Sequence, residues 1–193
     1  MSYPASVDVH TPDKIANWRP LVQWILAIPH MIITSVLTNV AYVVGFVSWL
    51  MILFTGKLPV GLANFQCMIV RYGTRAYAYS GFLHDEYPPF DFTASASDPG
   101  GTRVSVDFEP VLENRNRLTC ALRLIWLIPA ALFALVIWIV AMVCWFIGFF
   151  AVLFTGSWPT GLHDWILKGL RVSVRLNAYA YLLTDEYPPF STD

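Results

Sequence analysis

Five basic side chains could bind an anionic ligand, because they recur at helical spacing in two segments 100 residues apart. Residues three or four apart in a helix share one face, so each segment would present its positive charges together. The five residues are Arg71 and Arg75 in the first segment and Lys168, Arg171 and Arg175 in the second. Arginine binds phosphate through paired hydrogen bonds, and the pattern therefore predicts contact with lipid headgroups. Pairing inside the protein with Asp85 or Glu86 is an alternative, and a catalytic or substrate-binding role is a third.

Paired carboxylates follow each basic segment in the sequence Asp-Glu-Tyr-Pro-Pro-Phe, and such a pair could act as general acid and base. Adjacent residues on a helix do not face each other, however, and no nucleophile recurs beside them. The prolines disfavour helical conformation in the residue before them. We therefore interpret the motif as a structural terminus, where the helix ends near Tyr87 and Tyr187. Its members are Asp85, Glu86 and Pro88 in the first copy and Asp185, Glu186 and Pro188 in the second.

A third repeated motif, Leu-Phe-Thr-Gly-x-x-Pro-x-Gly-Leu, precedes each basic segment. Glycine can take the left-handed conformation that closes a helix, and proline suits the start of the next one. The threonine hydroxyl can bond to nearby backbone groups. The motif therefore predicts a corner between two helices. Its members are Thr55, Gly56, Pro59 and Gly61 in the first copy and Thr155, Gly156, Pro159 and Gly161 in the second.

Histidine and cysteine residues do not form a repeated ligand cluster. His30 lies in the first apolar stretch, where an ionisable residue suggests a function, but Ala130 stands at the matching position of the second repeat. The three cysteines are odd in number and scattered, at Cys67, Cys120 and Cys144. We predict no metal site, no cofactor and no disulfide framework.

Composition indicates a membrane protein. Hydrophobic residues make up 56% of the 193 residues and charged residues 13%, whereas soluble domains have about 25% charged residues. Residues 24–54 and 124–154 contain no Lys, Arg, Asp or Glu, and each stretch exceeds the ~20 residues that one transmembrane helix needs. The net charge of −1 provides no basic field, which argues against nucleic acid as a partner.

Two arrangements fit each apolar stretch. In one, Pro29 or Pro129 kinks the chain, and a short interfacial helix precedes a single tilted span. In the other, which we favour, the stretch folds into a hairpin of two short membrane helices, with a turn near Thr38 and Asn39 in the first copy. The hairpin keeps the repeated polar motifs and the basic residues on one side of the membrane, as the positive-inside rule favours. Single spans would place the two copies on opposite sides.

The duplication defines the domain organisation. Repeat 1 covers residues 1–94, a linker of small polar residues covers 95–104, and repeat 2 covers 105–193. Each repeat has a membrane run followed by an amphipathic interfacial helix, over residues 18–54 and 62–84 in repeat 1 and over residues 118–155 and 162–184 in repeat 2.

Short polar segments precede the two membrane runs. Residues 6–9 and 104–108 alternate apolar and polar side chains, as exposed strands do. The predicted fold is therefore a mainly α-helical, multi-pass integral membrane protein. Its two pseudo-symmetric repeats carry membrane helices and an interfacial helix each, and short extended segments form a small polar cap.

These motifs together resemble a bacterial family, the domain of unknown function DUF4389, in a form with two tandem copies. The resemblance rests on Ile-Pro-His in repeat 1, on the Leu-Phe-Thr-Gly-x-x-Pro-x-Gly-Leu corner, on Arg-x-x-x-Arg and on the terminal Asp-Glu-Tyr-Pro-Pro-Phe. Repeat 2 departs from the family pattern at Pro129-Ala130, where that pattern suggests Pro-His. The resemblance implies a protein of the bacterial plasma membrane, and it implies no known activity.

The expected function is that of a non-enzymatic membrane scaffold or accessory subunit of a larger assembly, in contact with membrane lipids. A membrane-protein partner or a second copy of the chain would complete such an assembly. The alternative is a protein that binds a lipid or a hydrophobic small molecule, and a transporter or channel is a further alternative. The apolar stretches carry few polar side chains that could line a pore, and all of them lie in repeat 1: Thr34, Ser35, Thr38, Asn39 and Ser48.

Overall fold

The computed structural model describes residues 3–192 and shows a mainly helical chain with one small sheet. The elements in chain order are β1 (Ala5–Val9), α1 (Arg19–Thr55), α2 (Val60–Ser80), β2 (Val104–Phe108), α3 (Arg117–Ala121), α4 (Arg123–Thr155) and α5 (Thr160–Ala180). α1 packs on α2 and α4 packs on α5, while β2 contacts α2 and β1 contacts α5. The fold thus has three layers: the long helices α1 and α4, then α2 and α5, then the sheet with its loops.

Each apolar stretch forms one continuous helix, so the predicted hairpin of two short helices is wrong. α1 has 37 residues and α4 has 33, and both are long and apolar enough to cross a membrane. No turn forms at Thr38 and Asn39, because their side chains donate hydrogen bonds to the carbonyls of Thr34 and Ser35, each at 2.8 Å. The helix itself satisfies the polar groups that suggested a turn.

The prolines within the apolar stretches do not end the long helices. Pro29 lies inside α1 and Pro129 lies inside α4. Among the described residues, a short helix precedes the long one in repeat 2 alone. This helix, α3, ends at Ala121 and not at Pro129. The Asn116 side chain caps α3 by accepting from the backbone N–H groups of Leu118 and Thr119.

The repeated corner has the same local structure in both copies. Gly56 and Gly156 take left-handed conformations, with φ of 70° and 69°, and each N–H donates to a carbonyl four residues earlier at 2.8 Å. The Thr55 and Thr155 hydroxyls donate to the carbonyls four residues before them. Pro59 and Pro159 then stand immediately before α2 and α5. Gly61 and Gly161 have open space around them, and nothing in the structure explains their lack of a side chain.

α2 and α5 end earlier than predicted, several residues before Tyr87 and Tyr187. Phe82 and Leu182 take left-handed conformations, with φ of 60° and 63°. In both copies the N–H of the following residue donates to a carbonyl five positions earlier, and this bond closes the helix. Positive φ is unusual for large side chains, and here both side chains are buried in the core.

The sheet joins the two repeats directly. β1 and β2 pair antiparallel, with Ala5 opposite Phe108 and Val9 opposite Val104. The short extended segments predicted for a polar cap are therefore confirmed. Val104 and Val106 are buried against the helical layer, whereas the Asp107 side chain faces outward.

Replacing Gly56 with Ala should destabilise the fold by about 1–2 kcal/mol, because a side chain is strained in the left-handed conformation. Gly61→Ala is the matched control, since Gly61 lies at ordinary φ in α2 with open space around it. That change should be neutral, or it should stabilise the helix by up to about 1 kcal/mol. Thermal unfolding in mild detergent measures both effects, and equal unfolding temperatures would contradict the role assigned to the corner.

Candidate functional site

A groove opens between the two long helices, with α2 and α5 above it. Its first part has a volume of about 370 Å³, within the range of small-molecule sites. We call this part the apolar chamber. Its lining includes Trp24, Met31, Ser80, Met142, Trp145 and Ile166.

The second part of the groove has a volume of about 260 Å³ and a different chemical character. We call it the polar chamber. Its lining includes Thr34, Thr38, Tyr42, Thr74, Ser173 and Asn177. Hydroxyl and amide groups from three helices therefore converge on one space, although they are far apart in the sequence.

The two chambers adjoin, because Tyr77, Trp138 and Leu170 line both of them. The Tyr77 and Trp138 rings meet edge to face, with centroids 6.1 Å apart. The Trp138 Nε1–H donates to the Ser173 hydroxyl. This hydrogen bond fixes an indole ring at the boundary between the chambers.

The Thr34 side chain lies in the wall of the polar chamber, with its hydroxyl enclosed by the protein. Thr34 is 5% exposed, and its Oγ1 has no hydrogen-bond partner among residues 3–192. The Thr74 and Ser173 hydroxyls already donate to carbonyls of their own helices. Within the part of the chain that the structure describes, no Asp, Glu, Lys or Arg lines either chamber. The groove thus suits a neutral polar group with an apolar chain.

Close packing of small residues places the four helices around this groove. A side chain at Gly73 would bring its Cβ within 3.3 Å of the Thr34 methyl group, and one at Gly169 would lie 3.0 Å from the Ala141 methyl group. Glycine at these two positions lets α1 approach α2 and α4 approach α5. The walls of both chambers depend on these contacts.

Arg71 and Arg75 are buried on the opposite side of α2, and they are paired within the protein. Arg75 donates to Asp98 at 2.8 Å and to Asp91 at 3.1 Å, and the Arg71 Nε lies 3.4 Å from Asp98. Arg71 also donates to the carbonyls of Val106, Ser95 and Ala96. Internal pairing is therefore what the structure shows for this pair. The partners are Asp98 and Asp91, and not the expected Asp85 and Glu86.

The basic residues of repeat 2 have a different environment. Arg171 is half-buried and forms no ion pair or hydrogen bond with any residue among 3–192. The Lys168 ammonium lies 4.8 Å from the centre of the Trp165 ring. Arg175 donates to the Ser191 carbonyl at 3.4 Å and lies over the Tyr3 ring. The two segments therefore share a spacing, but their basic residues have different neighbours among residues 3–192.

The repeated acidic motif is tied to arginines that sequence reasoning did not select. Asp185 accepts from Arg115 at 2.7 Å and from Arg123 at 2.8 Å. Burial raises the pKa of Asp185, but the hydrogen bonds and charges of these two arginines outweigh burial, so the net pKa is lowered. In repeat 1, Arg103 lies 3.9 Å from Asp85 and 3.4 Å from Glu86. These carboxylates lie outside both chambers and are held as ion-pair partners.

The histidines and cysteines do not assemble into a metal site. Within residues 3–192 no group of three potential ligands is close enough to hold an ion, and all three cysteines are buried thiols. His30 bonds to the Tyr72 hydroxyl at 2.8 Å and stacks on Phe90. His84 is buried without a partner for either ring nitrogen among the described residues, and burial lowers its pKa to about 4.

Comparison with known proteins gives one match. The model of a family described as "Domain of unknown function (DUF4389)" matches residues 17–91 and again residues 117–192. No curated protein and no solved structure matches the chain. The two matched ranges correspond to the two repeats, each from just before its long helix to the end of its acidic motif.

Replacing Asp98 with Ala should destabilise the protein by about 3–5 kcal/mol, because two buried guanidinium groups would lose their shared carboxylate. Glu113→Ala is the matched control, since it removes the partner of an ion pair to Lys57 in which both side chains are exposed. That loss should be below about 1 kcal/mol. Denaturation followed by circular dichroism would measure both, and similar values would show that the buried cluster does not stabilise the fold.

Stability should fall as the pH drops from 6.5 towards 4, partly because of His84. Between pH 6.5 and 4 the unfolded chain binds a proton at His84, whereas the folded protein does not. The contribution of neutral His84 to the free energy of unfolding is therefore complete above pH 6.5 and is lost as the pH falls towards 4. The loss amounts to about 3 kcal/mol. His84→Gln should flatten the decline of the unfolding temperature with pH. An unaltered profile in this variant would exclude His84 as the titrating group.

Proposed function

Because the chain belongs to the DUF4389 family, whose function is unknown, we propose its function from the groove. The protein is a membrane-associated, non-enzymatic binding protein that holds a lipid or another amphiphile between α1 and α4. The observation that carries this proposal is the pairing of an apolar chamber with a polar, uncharged one. The membrane would be the bacterial plasma membrane, as the family resemblance implies.

Membrane association is supported by the faces of α1 and α4 that point away from α2 and α5. These faces expose large apolar side chains at the same positions in both repeats: Ile25, Ile32, Val36, Val43 and Phe54, and Ile125, Leu132, Val136, Val143 and Phe154. Continuous apolar surfaces of this extent are rare on soluble monomers and mark contact with a membrane or a partner.

The two chambers favour different parts of an amphiphilic ligand. An acyl chain or another apolar chain fits the apolar chamber, where it would contact Trp24, Met31 and Trp145. A hydroxyl or amide fits the polar chamber, where a rotation of the Thr34 side chain would bring its hydroxyl into contact with the ligand. A charged headgroup would have no counter-ion there. Of the five basic residues, Lys168 and Arg171 remain candidates for headgroup contact outside the groove, because their charges are not neutralised by carboxylates among residues 3–192.

A scaffold or accessory subunit is the second candidate function. It is favoured by the extent of the exposed apolar faces, which continue along α1 and α4 far beyond the groove. Helices of a partner membrane protein, or of a second copy, would cover such faces. A native pull-down in mild detergent separates the two functions: stoichiometric partner proteins support the subunit, whereas a chain that carries one class of small amphiphile supports the binding protein.

Ser80→Trp should fill the apolar chamber and lower the amount of co-purified amphiphile by about tenfold, the equivalent of roughly 1.4 kcal/mol of binding energy. Ser35→Trp is the matched control, because Ser35 is exposed on α1 and lines neither chamber. Mass spectrometry of lipids extracted from the purified variants gives the ratio of ligand to protein. Equal ratios in both variants would rule out the apolar chamber as the binding site.

Thr34→Val tests the polar chamber without disturbing the fold. Removing a buried hydroxyl that has no partner should leave the unfolding temperature unchanged or raise it, while the binding of monoolein, a neutral amphiphile, should weaken about fivefold. Ser48→Ala is the control, since its hydroxyl is also buried without a partner among the described residues but lies outside both chambers. Unchanged monoolein affinity in Thr34→Val would contradict the assigned role.

A further inference from the structure

The beginning of α1 is tied to polar segments of both repeats. Arg19 donates to the Asp85 carbonyl. Just before the helix, the Ile15 N–H donates to the carbonyl of Gly156 at 2.7 Å, so the end of α4 lies beside the start of α1. This end of the molecule also carries Arg103, which lies 3.4 Å from Glu86.

The other end of α1 is tied to polar chain in the same way. The Leu58 N–H donates to the Leu112 carbonyl at 2.7 Å, and the Arg115 N–H donates to the Gly56 carbonyl at 3.1 Å. Arg115 in turn binds Asp185. The end of α1 and the start of α3 and α4 are therefore also side by side under polar loops.

The sheet connects these two ends along one side of the helices. At the first end, Arg103 lies next to Val104 of β2 and contacts Glu86. At the second end, Tyr3 lies just before β1 and donates to the Glu186 carbonyl at 3.2 Å. Between them the side chains of Asp8 and Asp107 are exposed. The sheet and these loops thus form a polar layer that lies beside the middle of the long helices, on the far side of α2 and α5.

A transmembrane orientation of α1 conflicts with this layer. At about 1.5 Å per residue, the 37 residues of α1 extend about 55 Å, so a crossing would separate its ends by the full bilayer. The sheet would then lie at the level of the hydrocarbon core, with its exposed carboxylates and its unpaired strand edges in lipid. Open sheet edges do not occur in that environment, and exposed carboxylates there are strongly unfavourable.

Aromatic side chains give a second, independent indication. Transmembrane helices concentrate Trp and Tyr in belts at the two interfaces. Here exposed aromatic residues also lie in the middle of the long helices: Tyr42 of α1 is 64% exposed and Trp138 of α4 is 46% exposed. An amphipathic helix at the headgroup boundary has its whole length at one depth, and aromatic residues suit every position along it.

We infer that α1 and α4 lie in the plane of one leaflet and do not cross the bilayer. The inference rests on the proposed membrane association and specifies its geometry. The exposed faces of α1 and α4 meet the acyl chains, α2 and α5 lie above them, and the sheet faces the aqueous phase. The groove between the long helices then opens towards the lipid, so that a lipid can enter it sideways from the leaflet.

The side of each helix end can be measured with single cysteines in sealed membrane vesicles. Lys14→Cys and Lys57→Cys mark the two ends of α1, and Asp8→Cys marks the sheet; all three side chains are exposed. A maleimide that does not cross membranes should label all three from the same side, and the unsubstituted chain, with its buried cysteines, gives the background. Labelling of Lys14→Cys and Lys57→Cys from opposite sides would overturn the inference while leaving membrane association intact. A chain found in the soluble fraction would overturn both.

The depth of α1 provides a second measurement. Spin labels at Ile25→Cys, Val36→Cys and Phe54→Cys, all on its exposed face, would be examined in vesicles of phosphatidylcholine and phosphatidylglycerol. An in-plane helix places the three labels within about 5 Å of the same depth, roughly one helical turn. A crossing helix places Val36 about 15 Å deeper than the helix ends, and that result would overturn the inference.

Discussion

The ion cluster that joins Arg71 and Arg75 to Asp98 sets the orientation of the whole molecule. Both arginines point from α2 towards the sheet and its loop, so the opposite side of α2 is left to pack on α1 and to cover the groove. Turning either guanidinium group towards the long helices would leave a charge unpaired among apolar side chains, which is strongly unfavourable. One helix therefore separates a polar layer from an apolar layer, and the two layers cannot exchange places.

The sequence predicts those features that depend on neighbouring residues. The glycine corners, the short strands and the tandem family match all follow from local motifs. The predicted hairpin is wrong because Thr38 and Asn39 bond within their own helix, an option that residue type alone does not reveal. The partners of Arg71 and Arg75 were missed for another reason. Asp98 lies in a segment rich in Ser, Gly and Pro that has the composition of a linker, yet its carboxylate is folded back onto α2.

The groove itself could not be predicted, because its lining comes from four helices. Thr34 and Thr38 were recognised as polar residues in an apolar stretch, but their convergence with Thr74, Ser173 and Asn177 requires the packing of both repeats together. The expectation that polar motifs of both copies lie on one side of a membrane was derived from the hairpin, which is wrong. The in-plane orientation that we infer leads to the same expectation, because helices in the plane of a leaflet do not cross the membrane.

The duplication accounts for a groove with one apolar and one polar half. Three pairs of positions 100 residues apart differ in the chamber that they line: Thr38, Tyr42 and Asn177 line the polar chamber alone, whereas Met142 lines the apolar chamber and Trp138 and Tyr77 lie at the boundary and line both. Two identical repeats would create two equivalent chambers and no preferred direction for a ligand. Here the more polar member of each pair lines the polar chamber alone, and its counterpart reaches the apolar chamber. The helices that carry the pairs keep the same corners and ends. Because the lining side chains of the two repeats have diverged, one end of the groove is polar and the other is apolar. An amphiphile would therefore bind in one orientation.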